Sequence, residues 1–480
     1  MDISSLDEVE RLGAKYYDKG ERKDLIEILK SYGTNYIRLR LWNDPQTPDG
    51  KPYGAGNTDY DTTLRMAKRV KAAGLGFLLD FHYSDFWADP GKQRKPKAWA
   101  DYGADELEKA VYEFTKEKMN GFINEGAVPD MVQVGNEVTN GLLWPEGQVP
   151  NYANIARFIS AGIRAVKETC PSAKIMIHLD NGGNNELYKK WFDEYINVNK
   201  GEDFDIIGMS YYPFWHGTLE DLEYNMNDIA KRFGKELVIA EVSMGFTTED
   251  YAEYEKLSPE NRKGMATKPA LCEKVPFPMT KEGQCDFMKA FLKVIENVPE
   301  NKGRGFFYWE AGWLPVAGSG WATDEALAYI KEKGPCGNEW ANQALFDYDG
   351  NALPALEVIR EYKPRYDRFV SFIERTLAVL AEERYDDFIA MYGSSRISKD
   401  GLILALRYLD SCRPVLKIDN PLEIKCDSRR IYIAEYQDGS GCHIDYDLTT
   451  DGQPNDLTVQ VELLNQGEGY RAVLEDLHAL

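Results

Sequence analysis

The sequence predicts an α/β fold, a (β/α)8 TIM barrel followed by a smaller C-terminal α+β domain. Over the first 365 of the 480 residues, a short apolar run rich in β-forming residues precedes a helical stretch, and this pattern repeats eight times. Polar residues gather where nearly every apolar run ends. Beyond residue 365 long helices precede alternating strands instead. We therefore expect a barrel domain at 1–365 and a separate domain at 366–480.

The eight predicted strands are apolar runs bounded by polar or turn-forming residues. In chain order they are DISSL near the N-terminus, Tyr36–Trp42, Gly76–Asp85, Met131–Val138, Lys174–Gly182, Ile206–Pro213, Leu237–Phe246 and Gly305–Trp313. The stretches between them have helical spacing, as in DTTLRMAKRVKAAG, which is amphipathic and ends in a glycine suited to a C-cap. Eight strands alternating with helices favour a closed parallel barrel over an open doubly wound sheet. No strand is followed by G-x-G-x-x-G or a phosphate loop, so a nucleotide-binding fold lacks support.

Polar side chains cluster at the carboxyl ends of these strands. They are Arg38 and Arg40, His82 and Asp85, Asn136 and Glu137, Asp180 and Asn181, Tyr211 and Tyr212, Glu241, Trp309 and Glu310. Buried strands rarely carry charges without a purpose. In an α/β barrel the carboxyl ends of the strands form the catalytic face. The pattern therefore predicts an active site there.

The barrel pattern ends at Ala341–Ile359. This segment holds Asp347, Asp349 and Asn351, but Gly350 comes too early for an EF-hand, and the Asp-Gly pair favours a turn instead. EYKPRYDR marks the boundary. Two helical stretches follow (FVSFIERTLAVLAEERYDDFIAMYG and SKDGLILALRYLDSC), then the strands RRIYIAEYQ, GCHIDYDLT and DLTVQVELL. No catalytic motif or aromatic strip assigns a role to this part of the chain.

The overall composition restricts the classes of binding partner that the chain can have. A formal charge of −22 argues against nucleic acid and anionic membranes, which bind basic surfaces. Seven cysteines without a C-x-x-C pair predict reduced thiols rather than a disulfide framework or a zinc site. No apolar run reaches membrane-spanning length, and the polar start MDISSLDEVE has no signal peptide. We expect a cytoplasmic protein, or an extracellular one if a leader has been removed.

Two glutamates indicate glycoside hydrolysis, which needs one carboxyl group to protonate the leaving oxygen and one to attack. Glu137 ends the fourth predicted strand and Glu241 ends the seventh. These strands lie across a closed barrel from one another, so the two carboxylates can approach to about 5 Å, the separation that gives retention of configuration. The alternative is that one or both glutamates are ion-paired barrel residues. Their joint placement favours the catalytic interpretation.

Several long motifs then resemble glycoside hydrolase family 53, the endo-β-1,4-galactanases that act on arabinogalactan type I. They are YIRLRLWNDP, TTLRMAKRVKAAGLGFLLDFHYSDFWADPGKQ, DMVQVGNEVTNGLLWPEG, SYYPFWHGTLEDL and NQALFDYDGNALP. The resemblance covers nearly all of residues 1–365 and does not reach the C-terminal domain. It implies Glu137 as proton donor, Glu241 as nucleophile and Asn136 as the partner of the substrate 2-hydroxyl.

Further substrate-binding residues are expected around this pair. Arg40 or Arg38, and Tyr211 or Tyr212, are candidates to keep Glu241 ionised. Because strand side chains alternate, we expect one member of each pair to face the barrel interior, and Arg40 lies nearer the catalytic end.

The resemblance to FHYSDFW adds His82 and Asp85 to the substrate-binding set, although His82 also suits a structural role. Trp87 and Trp309 are predicted as sugar platforms, with packing as the alternative. Trp215 and His216 are weaker candidates. Glu310, adjacent to Trp309, should point to the opposite face and be structural.

No cofactor is expected to be required. Some members of the family hold calcium in the loops after strands seven and eight, but here both loops, residues 247–284 and 318–340, lack recognisable ligand spacing. Cys272 and Cys336 lie in these loops and could pair in an oxidising setting. The expected partner is a β-1,4-galactan oligo- or polysaccharide. Two rival functions are another β-glycanase of the same barrel clan, such as a β-mannanase, and a non-catalytic carbohydrate-binding scaffold.

Overall fold

A computed structural model describes residues 1–251, 268–334, 336–362, 365–426, 428–436, 438–466 and 469–479. The chain divides into two compact units, one formed by 1–298 with 302–362 and the other by 363–480 with 299–301. Within the described ranges, no helix is long and apolar enough to cross a membrane.

The first unit is built around seven parallel strands that pair in chain order. A small antiparallel hairpin, β1 (Tyr16–Asp18) and β2 (Glu21–Lys23), precedes them. The parallel strands are β3 (Tyr36–Leu41), β4 (Gly76–Phe81), β5 (Met131–Val134), β6 (Lys174–Leu179), β7 (Ile206–Tyr211), β8 (Glu236–Val242) and β9 (Gly303–Tyr308). Seven of the eight predicted runs therefore form strands.

The N-terminal segment occupies the eighth position of the barrel. Asp2 forms a parallel bridge with Arg38, whose backbone N–H donates to Met1 O at 2.9 Å. On the other side, the N–H of Asp2 donates to the carbonyl of Tyr308 at 2.8 Å. The predicted DISSL strand is thus reduced to one bridging residue. The reason is local: the Asp2 carboxylate accepts from the N–H and hydroxyl of Ser4, which turns the chain into a helix.

Helices alternate with the strands and cover the outside of the barrel. They are α1 (Leu6–Arg11), α2 (Leu25–Ser31), α3 (Tyr60–Ala72), α4 (Ala104–Asn124), α5 (Tyr152–Thr169), α6 (Asn185–Phe192), α7 (Leu219–Phe233), α8 (Pro269–Cys272), α9 (Lys281–Glu296), α10 (Asp324–Ile330) and α11 (Ala355–Glu361). Their boundaries follow from the sequence. In α7, Thr218 and Asp221 form a capping box, and Gly234 ends the helix in the left-handed conformation.

The interior of the barrel has an apolar layer and a polar layer. Leu78, Met176, Ile206, Val238, Ala240 and Phe307, from five strands, form one separate buried apolar cluster. Two residues further along their strands come the polar side chains Asp80, His178 and others, also fully buried. Because side chains on one face of a strand recur every second residue, the two sets belong to successive layers of one interior. The polar layer supports the site described below.

The second unit is an α+β fold. Helices α12 (Arg365–Ala381), α13 (Tyr385–Ala390) and α14 (Lys399–Ala405) accompany β10 (Ser394–Ser395), β11 (Ile431–Glu435), β12 (Gly441–Thr450), β13 (Gln453–Asn465) and β14 (Tyr470–Ala479). The sheet order is β10-β14-β13-β12-β11, and the last four strands are mutually antiparallel. The single long helix expected after the boundary is broken between α12 and α13, where Glu383 adopts a φ of 60°.

Candidate active site

A cavity of about 490 Å³ in the first unit contains residues that follow the strand ends. Its lining includes the carboxylates of Glu137, Glu241 and Asp180, the amide of Asn136 and the phenol of Tyr212. Five tryptophans also line it: Trp87, Trp215, Trp309, Trp321 and Trp340. Flat apolar rings around a few convergent polar groups are typical of a small-molecule or sugar site.

Glu137 reaches the cavity because the backbone leaves the regular strand conformation. After β5 ends at Val134, Gly135 has a φ of 82° and Glu137 a φ of 45°, both in the left-handed region. Such residues are uncommon outside glycine and cluster at functional sites. Consecutive side chains, Asn136 and Glu137, can therefore both line the cavity. The hydroxyl of Ser210 on β7 donates to Glu137 Oε1 at 2.6 Å.

Glu241 reaches the cavity through a β-bulge. Met209 pairs with Ile239, but Ser210 pairs with Glu241, so β8 carries one extra residue, Ala240, at this point. Ala240 belongs to the apolar layer of the barrel interior, and the bulge lets the next residue also face inward. In a regular strand Glu241 would point to the opposite side from Ala240.

Two donors hold the carboxylate of Glu241. The guanidinium of Arg38 lies 3.0 Å from Oε1, and the hydroxyl of Tyr212 donates to Oε2 at 2.8 Å. Arg38 is 1% exposed and also binds Asp2 and Asp80, each at 2.8 Å. A buried cation with several acceptors cannot move away without leaving charges unpaired. Arg38 is therefore a fixed counter-charge for Glu241.

Asn136 belongs to the same network. Its side-chain Nδ2 donates to the carbonyl of Ala88 at 2.8 Å, and its Oδ1 accepts from Arg38 at 2.8 Å. These two bonds fix which end of the amide faces which neighbour. One hydrogen of Nδ2 remains for a ligand in the cavity.

The two glutamates differ in proton affinity. Burial raises the pKa of Glu137 well above its usual range, and the charges of Glu241 and Asp180 add to the effect. Burial also raises the pKa of Glu241, to about 7, but Arg38 and the Tyr212 hydroxyl oppose it. Among the described residues, a cation forms an ion pair with Glu241 but not with Glu137, so Glu241 loses its proton first and Glu137 retains one. The cavity can therefore present one carboxylic acid and one carboxylate.

The tryptophans form a continuous aromatic wall. The Trp309 ring centroid lies 6.1 Å from that of Trp87 and 5.8 Å from that of Trp340. Trp215 lies 6.3 Å from Trp340 and is 46% exposed, an unusually open position for a tryptophan. The indole N–H of Trp87 donates to the carbonyl of Trp321 at 2.9 Å, which fixes its ring. Rings held in this way can stack against sugar faces.

Of the substrate-site residues expected from the sequence, eight line the cavity. They are Asn136, Glu137, Glu241, Tyr212, Trp87 and Trp309, together with the weaker candidates Trp215 and His216. Of the two arginines, Arg38 contacts Glu241, whereas Arg40 binds Glu310 at 2.5 Å and the carbonyl of Ala55 at 2.6 Å. Arg38 rather than Arg40 therefore contacts the predicted nucleophile, which corrects the preference for Arg40. The expectation that only one of the two arginines faces the interior was also wrong, because residues two apart lie on the same face of a strand. Glu310, expected to be structural, is buried against Arg40 and Ser5.

Three further residues expected to bind substrate are not among the described residues that line the cavity, and their contact with substrate stays a prediction. His82 is buried between Asp80, at 3.0 Å, and the indole N–H of Trp42, at 3.1 Å. Asp85 accepts from the N–H groups of Asp44 and Lys97, and so fastens two loops together. Tyr211 donates to the carbonyl of Gly217 and packs against Phe287 and Phe291, which belong to α9.

Other residues of the site were not predicted from the sequence. Trp321 and Trp340 lie on loops after β9, where no periodic pattern marks a side chain as functional. Asp180 was recognised at a strand end but not assigned to the site. His178 and Ser210 were missed inside apolar runs, although a buried polar residue in a barrel strand is itself a signal.

The described residues also show where metals could bind. Among them, no group of three or more His, Cys, Asp or Glu side chains could hold a metal ion. Residues 252–267 of the first candidate calcium loop lie outside the described residues. Cys170, Cys285, Cys412 and Cys426 carry free thiols, and the pairing of Cys272 with Cys336 stays a prediction.

Comparison with known proteins agrees with this geometry. The model of glycosyl hydrolase family 53 matches residues 1–359, and that of a domain of unknown function, DUF7668, matches 421–480. The chain is 36% identical to an endo-beta-1,4-galactanase of Bacillus subtilis (strain 168), over 75% of this chain and 84% of that protein. It is 34% identical to an arabinogalactan endo-beta-1,4-galactanase of Humicola insolens, over 75% and 97%. The solved GH53 catalytic domain of Ignisphaera aggregans superposes with a TM-score of 0.69 at 40% identity, over 75% of this chain and 94% of that domain.

Proposed function

Since this chain belongs to glycosyl hydrolase family 53, we propose that it is an endo-β-1,4-galactanase that cleaves the galactan of arabinogalactan type I with retention of configuration. The observation that carries the proposal is the pair of buried glutamates of unequal proton affinity in one tryptophan-walled cavity. The names of its relatives supply the sugar. We assign the catalytic domain to residues 1–365, and the family match over 1–359 supports that boundary.

In the first step, Glu241 attacks the anomeric carbon while Glu137 gives its proton to the glycosidic oxygen. The bond from the anomeric carbon to the leaving oxygen breaks, and a galactosyl ester forms on Glu241. Arg38 and Tyr212 keep Glu241 ionised and accompany its change from carboxylate to ester. In the second step Glu137, now a carboxylate, takes a proton from water, and the resulting hydroxide equivalent attacks the anomeric carbon and releases Glu241.

Asn136 and the tryptophans bind the sugar in this scheme. The free hydrogen on Asn136 Nδ2 is directed to the 2-hydroxyl, where a hydrogen bond strengthens as positive charge develops on the ring. Trp309 carries the sugar whose bond is cleaved, and Trp87 extends the same wall. The chemistry uses only protein carboxylates, so no cofactor enters it.

The test uses linear β-1,4-galactan and two variants, Glu137→Gln and Glu241→Gln. Loss of either carboxyl group should lower kcat by a factor on the order of 10² or more, since one general acid alone contributes about 10²–10⁴-fold. Glu8→Gln is the matched control, because it alters a buried glutamate whose carboxylate accepts from the N–H of Gly56 outside the cavity. NMR of the first products should give the β-anomer. Equal activity of wild type and Glu241→Gln, or an initial α-anomer, would contradict the proposal.

Assays on mannan and xylan separate this proposal from other β-glycanase activities. The wild-type protein should release oligosaccharides from galactan and little from the other two polymers. Hydrolysis of mannan without release of galacto-oligosaccharides would contradict the galactanase assignment and leave the glycosidase chemistry in place.

A further inference from the structure

A buried chain of hydrogen bonds leads from Glu137 away from the cavity. Ser210 Oγ lies 2.6 Å from Glu137 Oε1 and 2.8 Å from Nε2 of His178 on β6. Ser210 and His178 are 0% exposed. Glu137 Oε2, by contrast, makes no hydrogen bond to a residue within the described ranges. The two oxygens of this carboxyl group therefore have different surroundings.

A serine hydroxyl has one hydrogen, so it can donate to only one of its two neighbours. If His178 carries its proton on Nε2, the ring donates to Ser210 and the hydroxyl must donate to Glu137 Oε1. If His178 carries its proton on Nδ1, Nε2 accepts from Ser210, and Oε1 of Glu137 must itself hold the proton to complete the chain. The tautomer of His178 is thus tied to the position of the proton on Glu137.

The other side of the imidazole ring offers a partner for each tautomer. Nδ1 lies 3.1 Å from the side-chain Nε2 of Gln133, a donor, and 2.9 Å from Oδ1 of Asn136, an acceptor. The amide orientations are fixed independently. Arg38 donates to Gln133 Oε1 at 3.2 Å and to Asn136 Oδ1 at 2.8 Å. The site can therefore accommodate both tautomers without leaving a buried polar group unsatisfied.

His178 holds a single ring proton under ordinary conditions. Burial lowers the pKa of His178 well below its usual range, and the neighbouring charge of Arg38 acts in the same direction. The imidazole is consequently neutral and acts through its tautomers rather than through a charge.

Resting on the function proposed above, we propose that His178 is a positioning residue for the catalytic acid. As the Nε2–H tautomer it directs the Ser210 hydroxyl to Glu137 Oε1, so that the proton of the acid is carried on Oε2. Oε2 is the oxygen left free for the glycosidic oxygen. The other tautomer places the proton on Oε1, against Ser210, where it cannot reach the leaving group. Neither His178 nor Ser210 touches substrate in this scheme.

The test compares substrates that differ in their need for an acid. The sugar hydroxyl released from galactan is a poor leaving group and needs a proton, whereas the dinitrophenolate of a 2,4-dinitrophenyl β-galactobioside leaves with little protonation. The value of kcat/KM reports the bond-breaking step for both. In His178→Phe the Ser210 hydroxyl loses its donor and can accept a proton from Oε1 as well as donate to it, so we expect kcat/KM on galactan to fall by about three- to tenfold, a fraction of the roughly 10²–10⁴-fold contribution of a general acid. On the aryl substrate the loss should stay below about twofold.

Two more variants guard against a misfolded protein. His178→Gln is the conservative control, because its amide N–H can still donate to Ser210, and it should recover most of the galactan activity. Ser210→Ala removes a single buried oxygen, and it should reproduce the leaving-group-dependent loss even if His178→Phe does not fold. Equal losses on both substrates would mean a purely structural role and would overturn the inference. The proposed function is tested separately, with the wild-type protein and its Glu137→Gln and Glu241→Gln variants on galactan, none of which alters His178 or Ser210.

Discussion

The hydroxyl of Tyr212 offers a direct measure of how this fold keeps a nucleophile ionised. It donates to Glu241 Oε2 at 2.8 Å from a position that is 7% exposed. A hydrogen bond to a buried charge is worth about 1.5–3 kcal/mol, and one pKa unit corresponds to about 1.4 kcal/mol. Tyr212→Phe, which removes only the oxygen, should therefore raise the pKa of Glu241 by about one to two units.

The sign of the effect on activity follows from the role of Glu241. The nucleophile must be ionised, so the acidic limb of the pH profile of kcat/KM reports its pKa. The Tyr212 bond lowers the pKa of Glu241 against the effect of burial, which raises it to about 7. In Tyr212→Phe the acidic limb should move upward by the same one to two units. The measurement is kcat/KM on galactan across the pH range, with thermal unfolding as a check on folding.

Tyr211→Phe is the matched control, because it removes the same atom from the adjacent residue. The Tyr211 hydroxyl donates to the carbonyl of Gly217 at 3.0 Å, and the ring packs against α9 outside the cavity. This variant should leave the acidic limb where it is. If Tyr212→Phe also leaves the acidic limb unchanged, the hydroxyl does not stabilise the ionised nucleophile, and the reasoning is refuted.

Four further predictions concern charges and rings in and around the site. Asp180 raises the pKa of Glu137, so Asp180→Asn should move the alkaline limb of the kcat/KM profile to lower pH, and an upward shift would contradict this account. Burial raises the pKa of Glu137 above its value in the unfolded chain, so the contribution of this carboxyl group to stability is present at low pH and is lost as the pH rises through the folded-state pKa. The Glu137→Gln variant should therefore unfold at a higher temperature than the wild type at pH 8, with little difference at pH 4. Arg40→Met leaves buried Glu310 unpaired and should destabilise the protein by about 3–5 kcal/mol in chemical unfolding, whereas unchanged stability would rule out the structural role given to Arg40. Trp215→Ala should raise KM on galactan without lowering kcat, because Trp215 lies at the open side of the aromatic wall, and a change in kcat alone would place the ring nearer the reaction.

The barrel could be predicted from the sequence because its strands and helices obey simple periodicities. Seven of the eight predicted strands form, and the polar residues at their carboxyl ends lead to the cavity. The failures have local causes. The first strand is lost because the Asp2 carboxylate binds Ser4 and turns the chain into α1. The break between α12 and α13 has no marker in the apolar spacing.

The orientation of side chains was harder to predict than their position along the chain. A bulge at Ala240 and left-handed backbone at Glu137 bring the two glutamates into the cavity, and neither departure follows from strand alternation. The choice between Tyr211 and Tyr212 likewise depended on where β7 ends. Loop residues such as Trp340 have no periodicity at all, so only the folded chain identifies them.

The N-terminal residues that close the barrel also belong to the network that holds the nucleophile. Within the described residues, Asp2 is the residue that bridges β3 and β9, and its carboxylate also binds Arg38, the counter-charge of Glu241. A junction held by so few backbone bonds is where amide hydrogens should exchange first, well before the whole barrel opens. Each such opening removes a partner of Arg38. On heating, the protein should therefore lose activity while most of its secondary structure remains, so the thermal stability of the activity depends on this junction.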